Sequence, residues 1–170
     1  MADQELLDVV DEKNNVIGQD TKENKFRKGL ITRNVAILIL DENKKLLITK
    51  RSPHKKTFPN RYDLAACGNV KSGETYEEAA KREVKEELGI EIDLKLLDTT
   101  YNKFKHENMI LKYFTGVFLG YFSGEVNLNE ELVEIDKFSI KEVEEKIKEN
   151  KNQFTPGFVH DFLYVKDKLK

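Results

Sequence analysis

Residues 67–90 read "CGNVKSGETYEEAAKREVKEELGI" and carry glutamate at positions 74, 77, 78, 83, 86 and 87. The stretch decides the fold because both ends of a helix are written into it. Thr75 and Glu78 have the T-x-x-E spacing in which each side chain caps the other residue's backbone amide. Gly89 stands where a helix closes through a left-handed residue. Between them Ala80, Val84 and Leu88 recur every four residues and form an apolar stripe for core packing. Glu83, Glu86 and Glu87 stand at i, i+3 and i+4, and the pattern predicts that they point away from that stripe. Each like-charge pair at such spacing costs about 0.2–0.5 kcal/mol in an isolated helix. One account is a solvated acidic face offset by Lys81, Arg82 and Lys85. The other is a bound cation: magnesium takes oxygen ligands and is held by one or two carboxylates together with water and substrate phosphates.

Working outward, residues 62–68 ("YDLAACG") predict a short strand ending at Gly68. Upstream, residues 32–40 ("TRNVAILIL") and 46–51 ("LLITKR") read as strands around a "DENKK" turn. Residues 5–10 and 16–19 predict a hairpin within an N-terminal extension spanning 1–30, and "TKENKFRKG" reads as a short helix or a basic loop. Downstream, residues 90–101 and 109–122 predict two long strands joined by a loop over 102–108. A strand over 132–140 leads into helices over 141–150 and 155–169, the last with Pro156 in its first turn. The order implies one α/β (α+β) domain over residues 1–170, a mixed β-sheet flanked by helices on both sides.

The composition agrees with a single core: 170 residues, 39% of them hydrophobic. With 29 basic and 31 acidic side chains and a net charge of -2, nothing draws the whole chain to a nucleic acid polymer or an anionic membrane. The longest apolar run, "VAILIL", is far shorter than the roughly 20 residues that span a bilayer. The single cysteine, Cys67, excludes internal disulfides and a cysteine-rich zinc site. It fits a reducing compartment, and the acidic N-terminus does not read as a secretory signal. The expectation is a soluble, cytoplasmic protein, with the N-terminal hairpin as a surface for a homodimer.

From Gly68 to Ile90 the sequence resembles the Nudix box, G-x5-E-x7-R-E-U-x-E-E-x-G-U, where U is a bulky aliphatic residue. Gly68, Glu74, Arg82, Glu83, Val84, Glu86, Glu87, Gly89 and Ile90 fill every fixed position. The resemblance implies a Nudix-type α/β/α sandwich, with 68–90 as its loop and helix. It further implies a pyrophosphohydrolase that cleaves a diphosphate linked to another group X, using Mg2+ or Mn2+. By the same resemblance Glu83, Glu86 and Glu87 are metal ligands, joined by the Gly68 carbonyl and supported by Glu74. Arg82 orients the carboxylates. One glutamate serves as base, with Glu83 the first candidate and Glu131 and Glu134 further ones. A nucleoside di- or triphosphate is the favoured substrate, and an isoprenoid diphosphate the second.

Residues 46–68 are also similar to the corresponding segment of type I isopentenyl-diphosphate isomerases. That similarity makes Lys50, Arg51, Lys55 and Lys56 candidates for gripping phosphate, and it makes Cys67 a candidate acid/base. Against isomerase chemistry, Asn69 stands where those enzymes carry a metal-binding histidine, and "MILKYFTGVF" offers no partner glutamate. A buried, inert Cys67 is then the simpler account. The alternatives to a hydrolase are an isomerase-like enzyme using Cys67 and a non-catalytic nucleotide sensor.

Overall fold

The computed structural model describes residues 4–169. Two strands, β1 (Leu6–Val10) and β2 (Val16–Thr21), pair as an antiparallel hairpin separate from the main sheet. Leu7 and Val10 are its buried anchors. The backbone of Ser72 donates to the Leu6 carbonyl at 2.8 Å, and the Ser72 hydroxyl donates to Asp8 at 2.7 Å. The hairpin therefore braces the turn that precedes the acidic helix. The basic run after it is helical: α1 (Lys22–Arg27) starts from a Thr21 cap.

The main sheet is built around β3 (Ile31–Leu40), which runs parallel to β8 (Met109–Tyr121) over its full length. Along β3, Val35, Ile37 and Ile39 enter one core cluster, whereas Ala36, Leu38 and Leu40 enter the other. Burial on both faces explains why this strand reads as a continuous apolar run. The first cluster is closed by α2 (Tyr76–Leu88) through Ala80, Val84 and Leu88. The second is closed by α3 (Ile140–Asn150) and α4 (Pro156–Val165), through Val143 and the rings of Phe158 and Phe162. Helices thus cover both faces of a mixed sheet.

Two expectations change. Residues 62–68 form two strands, because the run serves two neighbours. β5 (Tyr62–Asp63) pairs with β4 (Lys45–Arg51), and β6 (Ala66–Asn69) pairs with β3. The loop expected over 102–108 shrinks to a tight turn with Glu107 at φ 53°, since β7 (Lys95–His106) pairs with β8 to its end. Glu134, a candidate base, lies in the expected strand, β9 (Leu132–Ser139), where its partner across the ladder is Lys50 of β4.

Candidate functional site

The acidic helix forms as its ends predict. Thr75 and Glu78 make the reciprocal capping box, and Gly89 closes the helix at φ 68°. Its glutamates, however, do not share a solvated face. Glu83 and Glu87 are only 8% and 5% exposed, which corrects the expectation that both point away from the packed side. The reason is β6, which lies against that flank of the helix. At Gly68 a Cβ atom would overlap the Glu83 carboxylate, so only glycine lets helix and strand approach this closely. Glu87 Oε2 accepts from the Cys67 amide at 3.1 Å.

Arg82 knits the acidic residues together. Its Nε and one terminal nitrogen donate to Glu74 at 2.6 and 2.9 Å, a bidentate fork. The other terminal nitrogen reaches Glu83 at 2.7 Å and Glu86 at 3.3 Å, and the Asn69 carbonyl accepts a further bond at 2.9 Å. Glu74 also accepts from the Lys71 amide. Burial acts to raise the Glu74 pKa, but the bonds from Arg82 and Lys71 bring the net value below the usual range. Glu74 is thus a brace for Arg82 and the preceding loop.

The buried pair behaves differently. Burial pushes Glu83 up to about 7, despite the hydrogen bond from Arg82. Glu87 is driven well above the usual carboxylate range by burial and then by the charge of Glu83. Both also feel the charge of Glu131. Two crowded carboxylates of this kind fit a hard divalent cation, which takes one or two carboxylates and completes its shell with water and phosphate. Among the described residues, no three His, Cys, Asp or Glu side chains gather into a closed metal site. Glu86 is half-exposed and paired with Arg82, and Glu74 is committed to the same guanidinium.

Arg82, Glu83, Glu86 and Glu87 line a cavity of about 480 Å³, as do Gly68, Arg51, Lys55, Lys56 and Glu131. Arg51 is spent internally: it donates to the Thr57 carbonyl at 2.9 Å and pairs with Asp63 at 3.4 Å. It therefore shapes the 52–57 loop and is poorly placed to leave it for phosphate. Lys55 pairs with Glu131 at 2.9 Å on the rim, and Lys56 is exposed beside it. Lys50 and Glu134 pair with each other at 3.9 Å, and neither lines the cavity. Cys67 lies on the cavity wall, partly buried, with its thiol 3.5 Å from Asp63. Burial, then the charges of Asp63 and Glu87, push its pKa well above the normal value, so it stays a thiol.

Three cavity residues escaped the sequence reading. Lys25 of α1 is 4% exposed, with its ammonium 2.9 Å from Asn69 Oδ1 and 5.3 Å from the centroids of both Phe26 and Tyr113. Burial, and then the charge of Lys22, lower its pKa to about 7. Tyr113 of β8 and Asp161 of α4 line the same cavity. No local pattern separates Lys25 from the other lysines of "TKENKFRKG", and Asp161 sits in a mostly apolar helix with no motif around it.

Comparison with known proteins gives one consistent family. The NUDIX domain profile matches residues 30–158. An uncharacterized Nudix hydrolase of Nostoc sp. is 41% identical over 95 residues, 55% of this chain and 56% of that one. The isopentenyl-diphosphate Delta-isomerase 2 of Photorhabdus laumondii is 33% identical over 129 residues, 74% of this chain and 73% of that one. The chain spans about half the length of the Nudix hydrolases that it matches in Nostoc, Deinococcus radiodurans and Yersinia pestis. Among solved structures, DR0079 from Deinococcus radiodurans superposes with a TM-score of 0.70 at 27% identity, covering 86% of this chain and 90% of that one. Among the described residues, no helix is long and apolar enough to cross a membrane.

Proposed function

This chain belongs to the NUDIX family, and we propose that it is a magnesium-dependent pyrophosphohydrolase acting on a small diphosphate, a nucleoside di- or triphosphate above others. The observation that carries the reading is the buried pair Glu83 and Glu87, crowded together where burial and the neighbouring carboxylates both oppose their charge. Such a pair is costly unless something positive belongs beside it.

Glu83 and Glu87, with Glu86 and the Gly68 carbonyl, would hold Mg2+ or Mn2+. When bound, a divalent cation neutralises diphosphate oxygens and acidifies water. Arg82 keeps the Glu83 and Glu86 carboxylates at fixed positions on the helix, and Glu74 fixes Arg82. Lys55 and Lys56 meet phosphate oxygens at the cavity mouth. Arg51 holds the loop that bears both lysines. In the reaction, water attacks one phosphorus, the bond from that phosphorus to the bridging oxygen breaks, and a carboxylate takes the water proton. Glu83 and Glu131 are the candidates for that proton. Glu131, which lines the cavity beside Lys55, is released for the role when Lys55 turns from it to phosphate.

The 33% identity to a protein named an isopentenyl-diphosphate isomerase favours a second reading, an allylic proton shift at Cys67. Opposed to it are a β8 strand without any acidic residue and a lysine beside Asn69. The test is a phosphate-release screen across nucleotides, nucleotide sugars, coenzyme A derivatives and isopentenyl diphosphate, with and without magnesium. Magnesium-dependent release that disappears in Glu87→Gln is the expected result. Isomerisation of isopentenyl diphosphate without hydrolysis of anything, lost in Cys67→Ala, overturns it. Tight nucleotide binding with no turnover points to a sensor.

A further inference from the structure

The cavity does not stop at the acidic helix. Its lining also includes Cys67 and, beyond the helix, Tyr113, Thr115, Gly157 and Asp161. This part of the lining contains polar groups whose hydrogen bonds are unfinished. Asp161 is 3% exposed. Its Oδ1 is fully engaged, accepting from Thr100 at 2.8 Å and from Asn102 at 3.1 Å, with His160 Nδ1 at 3.1 Å. Its Oδ2 takes no hydrogen bond among the described residues. That oxygen is also absent from the fully enclosed unpaired atoms, which are Thr32 Oγ1 and Asn102 Oδ1. Oδ2 therefore opens onto the cavity that the residue lines.

The Tyr113 hydroxyl is in the same state, with no hydrogen-bond partner among the described residues and no place among the enclosed ones. Its ring is held from one side by the Lys25 ammonium, 5.3 Å from the centroid. Burial, then the charges of Asp161, Asp63 and Cys67, raise the tyrosine pKa well above normal, so the hydroxyl keeps its proton and these groups share one space. The space exists because residue 157 lacks a side chain. A Cβ there would stand 3.0 Å from the Tyr113 oxygen, and any larger group would fill that part of the cavity.

We infer that Tyr113 and Asp161 form the subsite for the group X of the substrate, and that they select an X bearing O–H or N–H donors over a hydrocarbon. Asp161 Oδ2 accepts from the donor, and the Tyr113 hydroxyl donates or accepts beside it. A hydrocarbon chain in this position strips water from both groups and returns no hydrogen bond. Sites built around such polar groups reject analogues that lack the matching donor far more strongly than apolar pockets reject an extra methylene. Nucleosides and sugars carry the required donors; an isoprenoid does not. The inference rests on the hydrolase reading and specifies its substrate class.

The experiment measures kcat and KM for magnesium-dependent phosphate release from UDP, CDP, 2′-deoxy-UDP and isopentenyl diphosphate. The proteins are wild type, Tyr113→Phe and Asp161→Asn. The wild type is expected to favour UDP over isopentenyl diphosphate by at least about 100-fold in kcat/KM. Tyr113→Phe, which keeps the ring and its contacts, is expected to cut that preference about tenfold. Asp161→Asn is expected to cut it further, because the amide offers N–H where an acceptor is needed. Turnover of isopentenyl diphosphate is expected to stay level or rise in both. Loss of preference for UDP over its 2′-deoxy form assigns the contact to a ribose hydroxyl. Loss of a preference for CDP over UDP assigns it to the base amine. Should Asp161→Asn fail to fold, Tyr113→Phe still decides. Equal wild-type turnover of UDP and isopentenyl diphosphate, or a preference untouched by Tyr113→Phe, overturns the subsite while leaving the hydrolase intact. Absence of hydrolysis from every diphosphate overturns the reading on which it rests.

Discussion

Helices α2 and α3 are alike as sequences and unlike as surfaces. Both are rich in glutamate and lysine, and both begin with a reciprocal capping box, Thr75 with Glu78 and Ser139 with Glu142. On α3 the glutamates stay at the surface: Glu144 pairs with Lys166 at 2.7 Å, and Glu145 lies 4.0 Å from Lys141. Only Val143 of α3 is buried. On α2, two carboxylates are carried into the interior with the apolar stripe. The difference lies in the neighbour, not the helix. Strand β6 presents glycine at position 68 and lets the Glu83 flank close on it, whereas the glutamates of α3 keep to surface ion pairs. An acidic helix thus becomes a site when a partner without a side chain buries its charges.

The largest expected effect breaks this comparison at its functional end. Glu87→Gln is expected to lower magnesium-dependent phosphate release by more than about 1000-fold, the scale of several kcal/mol of charge stabilisation. Glu145→Gln, the same change on α3, is expected to leave the rate within about twofold, since exposed ion pairs contribute little. Steady-state kinetics on the two variants reads both.

Next is the partner that makes the difference. Gly68→Ala places a methyl group on the Glu83 carboxylate. Urea unfolding is expected to show a loss of about 1–3 kcal/mol, the range for overpacking, with hydrolysis lost as the helix is forced off β6.

A third effect appears as pH dependence. The Glu83 pKa is raised by burial to about 7 in the folded protein from its ordinary 4.5. Between those values the folded state holds more protons than the unfolded one, so stability falls as pH rises. Without metal, the melting temperature is therefore expected to fall from pH 5 to pH 8, and Glu83→Gln is expected to flatten that slope. Magnesium is expected to restore stability at the upper end. Glu142 of α3, held below the ordinary range by its bond from the Ser139 amide, adds nothing in this window.

The smallest effect sharpens the likeness. Thr75→Ala and Ser139→Ala are each expected to cost about 1 kcal/mol in chemical denaturation, because each removes one helix cap. Unequal costs would show that the two helices differ in more than their neighbours.

Legibility in the sequence follows the range of the forces involved. The capping box, the Gly89 terminus and the stripe of Ala80, Val84 and Leu88 are local, and all three appear as read. The two-sided burial of β3 follows from its unbroken apolar run. Residues 62–68 misled because strand pairing is long-range: one run divides between β4 and β3, and nothing within it marks the division. The burial of Glu83 and Glu87 was hidden for the same reason, since it depends on how closely a distant strand approaches. Arg51, a phosphate candidate by resemblance, is bound by the Thr57 carbonyl and Asp63, partners that lie outside its own strand. Lys25, Tyr113 and Asp161 come from three separate elements and meet only in the cavity.

Titration of Mn2+ into the wild type and into Glu83→Gln/Glu87→Gln at pH 7.5, followed by electron paramagnetic resonance, addresses the buried pair most directly. The account predicts loss of the free-ion signal at a saturable site in the wild type, and no such loss in the double variant. Equal binding by the two proteins, or none by either, would contradict it.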